Sequence, residues 1–368
     1  MRREALRGVL TREFDWMLFA ITVAITGIGL LFLYSATPEK SLSLQNVFYR
    51  QLVWLAVAFL AFWVTLWFDY KSFLNWAYLL YGINLLLLVL VLLLGKATRL
   101  GAERWLGVGP FAIQPSEFSK ITLVLTLSRF LHGRDLNSNL LKNLFVTFFL
   151  GSLPALLILK EPHLGTAVLL FFILAILLYV SGLRHALFIG SLSALALLSP
   201  VGWFFLKPYQ RERLLVFVNP NMDPLGSGYT IIQSRISIGS GGLFGKGWLQ
   251  GTQSQLNFLP ERHTDFIFSV VAEEGGFVMA ALLVLLFFLF VNRGFSIAKR
   301  ARSDQARVTA IGLTSLVALH VFVNLAMTMG FLPVVGLPLP FVSYGGSWLT
   351  SCWIATALLL SISNERDL

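Results

Sequence analysis

The sequence predicts an all-α membrane protein, a polytopic bundle of ten transmembrane helices with a large extracytoplasmic loop between helices 7 and 8. Hydrophobic residues make up 57% of the 368 residues and charged residues only 12%, whereas a soluble domain carries about 25% charged residues. Apolar runs close to the length of a bilayer crossing recur along the chain, and the one long polar segment, 207–264, lies between two of them. We therefore expect residues 1–368 to form a single membrane domain.

Ten apolar runs approach the roughly 20 residues that a helix needs to cross the hydrocarbon core of a bilayer. They are 16–35, 51–68, 73–95, 116–131, 144–159, 165–181, 185–205, 266–292, 308–331 and 345–362. An even number of spans places both termini on one side. That side carries 15 Lys and Arg residues, against 7 in the short loops of the other side. Because positive charge concentrates in cytoplasmic loops, both termini are predicted to be cytoplasmic.

The long loop 207–264 then faces outward. Its proline and glycine residues are typical of turns and short helices, and apolar side chains such as Tyr229 and Trp248 argue against a disordered segment because they need burial. The other long outer loop, 96–115, is basic and aromatic. The formal net charge of +10 accompanies no nucleic-acid-binding motif, so the expected partner of this charge is lipid and not nucleic acid.

The glycine-rich run Gly239–Gly247 does not match a nucleotide-binding loop. A Walker-type loop needs glycine at position 240 and serine or threonine at 247, where this chain has Ser240 and Gly247. Two interpretations stay open: a tight turn, or a cradle in which backbone N–H groups beside Lys246 bind a lipid phosphate. The five histidines are scattered, without the spacing of metal ligands.

Few acidic residues lie near the predicted spans, and these are the main candidates for chemistry, because an ionisable group at a membrane helix is costly and usually faces a cavity. Asp265 lies where the eighth run begins, and a helix-capping carboxylate is its alternative interpretation. On one continuous helix, Glu273 would lie deeper in the same cavity. Glu117 and Lys120 are three residues apart, so an ion pair on one helix face is expected.

Several cations of the outer loops lie beside the mouths of apolar helices. Each one alone would be interpreted as a solvated charge, but their concentration favours the binding of an anionic lipid head group. These cations are Arg104, Arg211, Arg213, Arg235 and Lys246.

Several motifs occur in the order in which one family of membrane proteins has them. The strongest stretch runs from Gly239 to Phe268, and the others are Gly101–Trp105, Gln114–Glu117 with Lys120, Tyr209–Arg213, Asp223–Tyr229, Ile232–Ser234 and Pro338–Gly346. With these motifs the chain resembles the SEDS family (shape, elongation, division and sporulation) over nearly its whole length, and its elongation branch more than its division branch. It departs from the family at His163, which stands in place of an aspartate.

The resemblance implies a peptidoglycan glycosyltransferase of the bacterial inner membrane that polymerises lipid II into glycan strands for cell elongation and rod shape. Its substrates would be lipid II and the nascent glycan-lipid, and its partner a class B penicillin-binding protein transpeptidase in the elongation complex. Asp265 would be catalytic, with Glu117 and Lys120 as a supporting pair. Candidates to bind the diphosphate or the head group are Arg104, Arg211, Arg213, Gln233, Lys246, His263 and Ser343. For Ser343, a turn-stabilising hydroxyl is an equal alternative.

The reaction implied moves a sugar from an α-linked lipid diphosphate to the 4-hydroxyl of a second lipid-linked disaccharide, and the β product requires inversion. Because a diphosphate is a good leaving group, one general base, Asp265, together with cations facing the departing charge is sufficient. These residues demand no resident cofactor. A divalent cation, Mg²⁺ or Mn²⁺, bound with the lipid diphosphate is an open alternative.

Two other functions fit ten spans with a basic outer face. One is a transporter that flips a lipid-linked precursor across the bilayer. The concentration of charged groups on one side, with few in mid-span, argues against it. The other is a non-catalytic membrane scaffold for the transpeptidase.

Overall fold

The computed structural model describes residues 14–37, 46–94, 96–97, 103–107, 112–190, 193, 197, 204, 208–224, 226 and 228–365. The helices with both ends described are α1 (Trp16–Ala36), α2 (Val47–Trp67), α3 (Tyr70–Asn75), α4 (Ala77–Leu94), α5 (Pro115–Leu131), α6 (Leu140–Lys160), α7 (Leu164–Val180), α8 (Pro208–Val218), α9 (Tyr229–Ser240), α10 (Thr252–Gln255), α11 (Ile267–Arg300), α12 (Asp304–Thr328) and α13 (Gly346–Ser363). Two short antiparallel strands, β1 (Lys96–Ala97) and β2 (Glu103–Trp105), lie between α4 and α5.

The prediction of a polytopic all-α membrane protein is confirmed. Within the described residues, seven helices are long and apolar enough to cross a membrane, namely α1, α2, α4, α6, α11, α12 and α13. α7 is apolar but has only 17 residues, and α5 has the same length and a more mixed composition. The count of ten spans is not confirmed, because the seventh run, 185–205, lies largely outside the described residues.

Capping side chains set the first residues of two spans, and both spans begin earlier than the apolar runs predicted. Asn46 caps α2, since its side-chain oxygen accepts a hydrogen bond from the backbone N–H of Phe48 at 2.8 Å. Ser303 caps α12 through the N–H of Ala306 at 3.1 Å. Both helices therefore begin four residues before the predicted run, because a cap satisfies N–H groups that a helix start leaves without partners.

Two predicted spans are interrupted. The third run is divided between the short helix α3 and the span α4. The eighth, α11, is broken at Gly276, whose φ of 67° and ψ of −169° are not helical. There the N–H groups of Phe277 and Val278 donate to the carbonyls of Gly242 and Leu243 at 2.9 and 3.1 Å. The loop 207–264 thus supplies acceptors for N–H groups that the break in the helix leaves without partners.

The bundle has a protein-covered centre and a lipid-facing rim. The most apolar stretches of α13 and α12 are 83% and 72% buried, whereas those of α2 and α4 are only 22% and 28% buried. The more polar helix α5 is buried on nearly all sides. This arrangement keeps the ionisable side chains of α5 away from lipid, where they would be costly.

Both described chain ends lie at the same end of the bundle. The side chain of Arg293 near the end of α11 pairs with Asp15 at the start of α1, at 2.7 Å. Lys71 in α3 pairs with Glu365 after α13, at 3.0 Å. One cavity is lined by Asp15, Arg293 and Glu365 together, which joins the two pairs.

The opposite end of the bundle gathers the end of α1 and the starts of α5 and α13. Arg262 donates from Nε to the carbonyl of Ala36 at 2.7 Å, and the N–H of Gln114 donates to Ser347 Oγ at 2.9 Å. The first bond joins the loop before α11 to the end of α1, and the second joins the residue before α5 to the first turn of α13. Asp265 lies just before α11, and Glu117 lies in the first turn of α5, so both candidate residues are at this end of the bundle.

We expect α1 to tolerate a methyl group at Gly27 but not at Gly29. A Cβ at Gly29 would lie 2.6 Å from Val342 Cα and 2.9 Å from Phe341 O, and both contacts are backbone. Gly29→Ala should therefore cost about 1–3 kcal/mol, as overpacking does, and lower the melting temperature in detergent. Gly27→Ala is the matched control, because nothing lies within 4 Å of its Cβ position. Equal melting temperatures for the two variants would contradict this packing.

Candidate active site

A cavity of about 670 Å³ opens among the loops at the end of the bundle away from the chain ends. Its walls come from β2, the turn between α6 and α7, helix α8, the turn before α11 and the segment between α12 and α13. The charged and titratable side chains that line it are Arg104, Glu117, His163, Arg213, Glu261, Asp265 and Tyr344. The cavity therefore combines carboxylates with guanidinium groups, as a site for a negatively charged substrate requires.

A hydrogen bond to its backbone carbonyl holds Asp265 at the cavity wall. The amide nitrogen of Asn324 in α12 donates to the carbonyl of Asp265 at 2.9 Å and to that of Leu337 at 2.8 Å. One side chain thus fixes the turn before α11 to the segment before α13. Across this gap, a Cβ at Gly336 would lie 3.5 Å from Asp265 Oδ2, and the φ of +69° at Gly336 also favours glycine.

The pKa of the Asp265 carboxyl group is raised toward neutral pH. Burial, together with the nearby carboxylate of Glu261, raises its pKa to about 6 against the opposing effects of Arg213 and Arg104. A carboxylate with a pKa near 6 is mostly ionised at pH 7 yet is a better proton acceptor than an ordinary aspartate. The environment therefore suits a general base.

Two arginines face the cavity from different elements. Arg104 in β2 donates from Nε to the carbonyl of Glu161 at 3.0 Å and from Nη2 to that of Pro162 at 2.6 Å. Arg213 in α8 donates from Nη1 to the carbonyl of Val334 at 3.2 Å. These bonds to backbone carbonyls orient both guanidinium groups at the cavity.

Glu161, beside Arg104, does not offset this positive charge. Its side chain is buried, and neither carboxyl oxygen has a hydrogen-bond partner. Burial raises its pKa to about 8 against the opposing effect of Arg104, so the carboxyl group is protonated at pH 7. The Glu161 carboxyl group is therefore a neutral neighbour of Arg104.

His163, which replaces an aspartate of the resembled family, is a neutral wall residue. Thr166 Oγ1 lies 3.1 Å from its Nδ1, and its Nε2 lies 3.5 Å from the carbonyl oxygen of Gly336. Burial and the positive charges of Arg104 and Lys120 lower its pKa to about 3. An uncharged imidazole therefore occupies this position of the cavity wall.

Glu117 and Lys120 form the expected ion pair, with 2.6 Å between Glu117 Oε2 and Lys120 Nζ, and both side chains are buried. Lys120 Nζ also lies 3.0 Å from His320 Nε2 and 4.0 Å from the centre of the Trp348 ring. Glu117 lines the cavity. Glu117 thus brings the pair to the cavity wall, and Lys120 joins α5 to α12 and α13.

Comparisons with known proteins agree with this architecture. A family model for FtsW, RodA and SpoVE cell cycle proteins matches residues 15–368. The chain belongs to this family, the SEDS family. It is 47% identical over 295 residues to the peptidoglycan glycosyltransferase MrdB of Escherichia coli K12, covering 80% of this chain and 79% of MrdB.

Solved structures give the same assignment. RodA of Thermus thermophilus is similar with a TM-score of 0.72 and 31% identity, over 96% of this chain and 98% of RodA. A chain in a peptidoglycan synthase complex that coordinates polymerization and crosslinking is similar with a TM-score of 0.84 and 34% identity, over 97% and 100% of the two chains. The resemblance to the SEDS family and to its RodA-type members is therefore confirmed.

In this SEDS chain, Lys246 forms an ion pair with Glu273, and the predicted position of Glu273 in the cavity of Asp265 was wrong. Lys246 Nζ lies 2.8 Å from Glu273 Oε1, and neither residue lines the cavity of Asp265. The prediction for Glu273 assumed one continuous helix from Asp265, but α11 begins at Ile267 after a turn. The carboxylate of Glu273 instead accepts hydrogen bonds from the backbone N–H groups of Gln253 and Ser254 at 2.9 and 3.2 Å.

The glycine-rich run of this SEDS chain is a turn packed on α11, not a phosphate cradle. The N–H groups of Lys246 and Gly247 donate to the carbonyls of Glu273 and Glu274 at 3.0 and 3.1 Å. These donors are already used inside the protein. Of the two interpretations left open by the sequence, the structure supports the tight turn.

Ser343 is also a turn residue. Its Oγ donates to the carbonyl of Thr264 at 2.6 Å and accepts from the N–H of Leu339 at 2.8 Å. The side chain is buried and does not line the cavity. Its hydroxyl therefore holds the turn before α11 against the segment before α13, and the suggestion that it contacts a sugar does not fit.

The remaining head-group candidates lie outside the cavity wall. Arg211 donates from Nη2 to the carbonyl of Phe204 at 2.9 Å. Gln233 is partly exposed on α9. The ring of His263 packs 5.9 Å from the ring of Tyr344, which itself lines the cavity, and burial lowers the pKa of His263. Of the seven candidates, only Arg104 and Arg213 are brought together with Asp265.

Asn324 and His320 are site residues that the sequence analysis missed. Both lie inside the apolar run of α12, where a polar side chain is rare and tends to be functional. A polar side chain within an apolar run can be recognised from the sequence alone. Their partners, the carbonyls of Asp265 and Leu337 for Asn324 and Lys120 for His320, depend on contacts between distant segments.

Removing one partner of the buried pair should be worse than removing both. Lys120→Met leaves the Glu117 carboxylate buried without its cation, which typically costs about 3–5 kcal/mol. We expect a large fall in the melting temperature of the protein in detergent and partial recovery in the double variant Glu117→Gln, Lys120→Met. Lys71→Met is the control, since half of its side chain is exposed and exposed pairs contribute about 0–1 kcal/mol. Equal losses for Lys71→Met and Lys120→Met would contradict a stabilising buried pair.

Proposed function

We propose that the protein is a peptidoglycan glycosyltransferase that polymerises lipid II into glycan strands for cell elongation and rod shape. The similarity to MrdB and RodA supports this assignment. The observation that carries it is the cavity in which the Asp265 carboxyl group, with a pKa of about 6, lies within the field of Arg104 and Arg213. A base and two cations are the groups that sugar transfer from a diphosphate needs.

In the proposed reaction, Asp265 accepts the proton of the acceptor sugar's 4-hydroxyl. The oxygen of that hydroxyl forms a bond to the anomeric carbon of the donor as the bond from that carbon to the diphosphate oxygen breaks. The lipid diphosphate leaves with the bonding electron pair, and the configuration at carbon inverts. Arg104 and Arg213 stabilise the negative charge that develops on the departing oxygen.

A divalent cation, Mg²⁺ or Mn²⁺, is an additional proposal for the same charge. Among the residues that the structure describes, no group of three His, Cys, Asp or Glu side chains could hold a metal ion. Asp265 and Glu261 both line the cavity, so an ion would take these oxygens together with the diphosphate and water, as Mg²⁺ commonly does. Loss of polymerisation on chelation, restored by added Mg²⁺ or Mn²⁺, would support it.

The proposed setting is the bacterial inner membrane, with both termini cytoplasmic and the cavity and the loop 207–264 on the outer side. The excess of Lys and Arg in the loops on the terminal side supports this orientation. The proposed partner is a class B penicillin-binding protein transpeptidase of the elongation complex. The similar chain found in a peptidoglycan synthase complex supports such a partner.

The catalytic role of Asp265 is tested by polymerisation of labelled lipid II with purified protein in detergent. Asp265→Asn keeps the size of the side chain but removes the base, and we expect the rate to fall about 10²–10⁴-fold. Full polymerisation by this variant would exclude Asp265 from the chemistry. Synthesis by the wild type in detergent, where no bilayer separates two sides, distinguishes an enzyme from a flippase.

The pH dependence of the rate tests the same assignment without loss of the residue. A raised pKa means that the active carboxylate is lost as pH falls through about 6, so the rate should fall tenfold per pH unit below that value. His163 contributes no change there because its pKa is about 3. Glu261→Gln should shift the fall to lower pH, since Glu261 raises the pKa of Asp265. A wild-type rate that stays flat down to pH 5 would contradict the assignment.

The arginine assignment predicts different effects at two neighbouring positions. Arg213→Gln removes a cation that lines the cavity, so we expect the rate of lipid II polymerisation to fall at least tenfold. Arg211→Gln removes the same charge two residues away, outside the cavity wall, and should leave the rate within about twofold. Equal losses would indicate a general effect of positive charge on this surface.

A further inference from the structure

The turn 242–249, between α9 and α10, exposes apolar side chains although it belongs to the polar loop 207–264. Three of its large side chains are exposed, Leu243 by 66%, Phe244 by 81% and Trp248 by 47%. The one ionisable residue of the turn is Lys246, whose ammonium group is paired with the buried carboxylate of Glu273. The surface of the turn is therefore apolar, and an apolar surface of this kind marks a contact with lipid or with protein.

The turn runs alongside α11, at the level of its break, and not above its end. Its backbone bonds to the stretch of α11 from Glu273 to Val278. Phe277 and Val278 are themselves 67% and 52% exposed on a membrane span. The apolar side chains of the turn therefore extend the lipid-facing surface of α11.

Trp248 joins the turn to a second span, α1. Its Nε1 donates to the carbonyl of Leu31 at 3.1 Å, and its ring lies 5.8 Å from the ring of Tyr34. Leu31 lies five residues before the last residue of α1, Ala36, and is 44% exposed. The turn is therefore held beside the lipid-facing surfaces of two spans, below the end of α1.

Residue counts along the two spans give the depth of the turn. Trp16 is 53% exposed at the start of α1, and tryptophan at the end of a span marks the membrane–water boundary. Fifteen residues separate Trp16 from Leu31, about 22 Å along a helix. The same number separates Val278 from Arg293, which pairs with Asp15 beside Trp16. A hydrocarbon core is about 30 Å thick, so both counts place the turn about 8 Å inside its far edge.

The backbone of the turn is paired as the interior of a membrane requires. The N–H of Gly245 donates to the carbonyl of Gly241 at 2.8 Å, and the N–H of Leu249 donates to Glu274 Oε2 at 3.2 Å. The other groups with partners, all on α11, are the N–H groups of Lys246 and Gly247 and the carbonyls of Gly242 and Leu243. A loop in water needs no such pairing, whereas lipid offers no partner to a free N–H or carbonyl group.

We propose that the turn 242–249 is immersed in the leaflet nearer the Asp265 cavity, where lipid acyl chains cover Leu243, Phe244 and Trp248. Lipid is the partner because the turn lies within the thickness of the hydrocarbon core and adjoins lipid-facing side chains of two spans. Apolar side chains that hold a segment at the membrane surface enter the boundary by about 5–10 Å, which matches the depth of the turn. The proposal does not depend on the reaction assigned to the cavity.

Immersion of the turn gives the loop 207–264 an anchor in the bilayer. Helix α9 ends at Ser240, directly before the glycines that lead into the turn. Thr230 and Ile231 near the start of α9 line the Asp265 cavity. The anchor therefore sets the depth of one cavity wall relative to the lipid.

Spin labels on single cysteines test the proposal in proteoliposomes of the purified full-length protein. The one cysteine of the chain, Cys352, is buried, and Cys352→Ala gives the background for Phe244→Cys. Oxygen concentrates in hydrocarbon and a neutral nickel complex concentrates in water, so the ratio of their collision rates with the label measures its depth. We expect the label at position 244 to favour oxygen and to lie about 8 Å inside the hydrocarbon edge. Leu243→Cys should give the same result, which keeps the test independent of one substitution.

Two further labels calibrate the depth. Leu86, which is 60% exposed in the middle of the span α4, is the lipid reference, and Asn221, which is exposed in the same loop as the turn, is the water reference. A label at position 244 that meets the nickel complex as often as the label at 221 would overturn the proposal. A label shielded from both reagents would overturn it too, because protein and not lipid would then cover the turn. Each labelled variant should keep the melting temperature of the Cys352→Ala background, since the replaced side chains are exposed.

Discussion

The buried pair of Glu117 and Lys120 is the interaction on which the bundle and the cavity both depend. An ammonium group in the middle of a protein that lipid surrounds is stable only beside compensating groups. Lys120 has three, the carboxylate of Glu117 and the rings of His320 and Trp348. These partners come from α5, α12 and α13, so satisfying one charge fixes three helices, and Glu117 of the pair also lines the cavity.

The sequence was sufficient for the class of fold and for local pairs, and insufficient wherever the chain leaves a regular helix. Apolar runs predicted the membrane helices because burial in lipid requires them, and a spacing of three residues predicted the pair of Glu117 and Lys120. Glu273 was misplaced because helical geometry was extended through a turn. The partners of Lys246 and Ser343 could not be predicted either, since they come from segments tens of residues away.

The loops at the cavity end are ordered by polar contacts between segments as well as by buried apolar side chains such as Leu259 and Leu339. Asn324 joins the turn before α11 to the segment before α13. Ser343 joins the same two segments through Thr264 and Leu339. Arg104 fixes the turn between α6 and α7. Each of these side chains satisfies backbone carbonyls that irregular loops leave without partners. The same bonds thereby place the groups of the cavity wall.

The balance of charges around Asp265 also links the strength of the base to the presence of the donor. Arg104 and Arg213 lower the pKa of this carboxyl group, against the effect of burial. A diphosphate bound to the two arginines would neutralise them and add negative charge near the carboxylate, and both changes raise its pKa. Under the proposed mechanism, Asp265 would therefore be a stronger proton acceptor with the donor in place. Without the donor, the pKa of about 6 leaves the carboxyl group mostly ionised at neutral pH, as the proposed role of base requires.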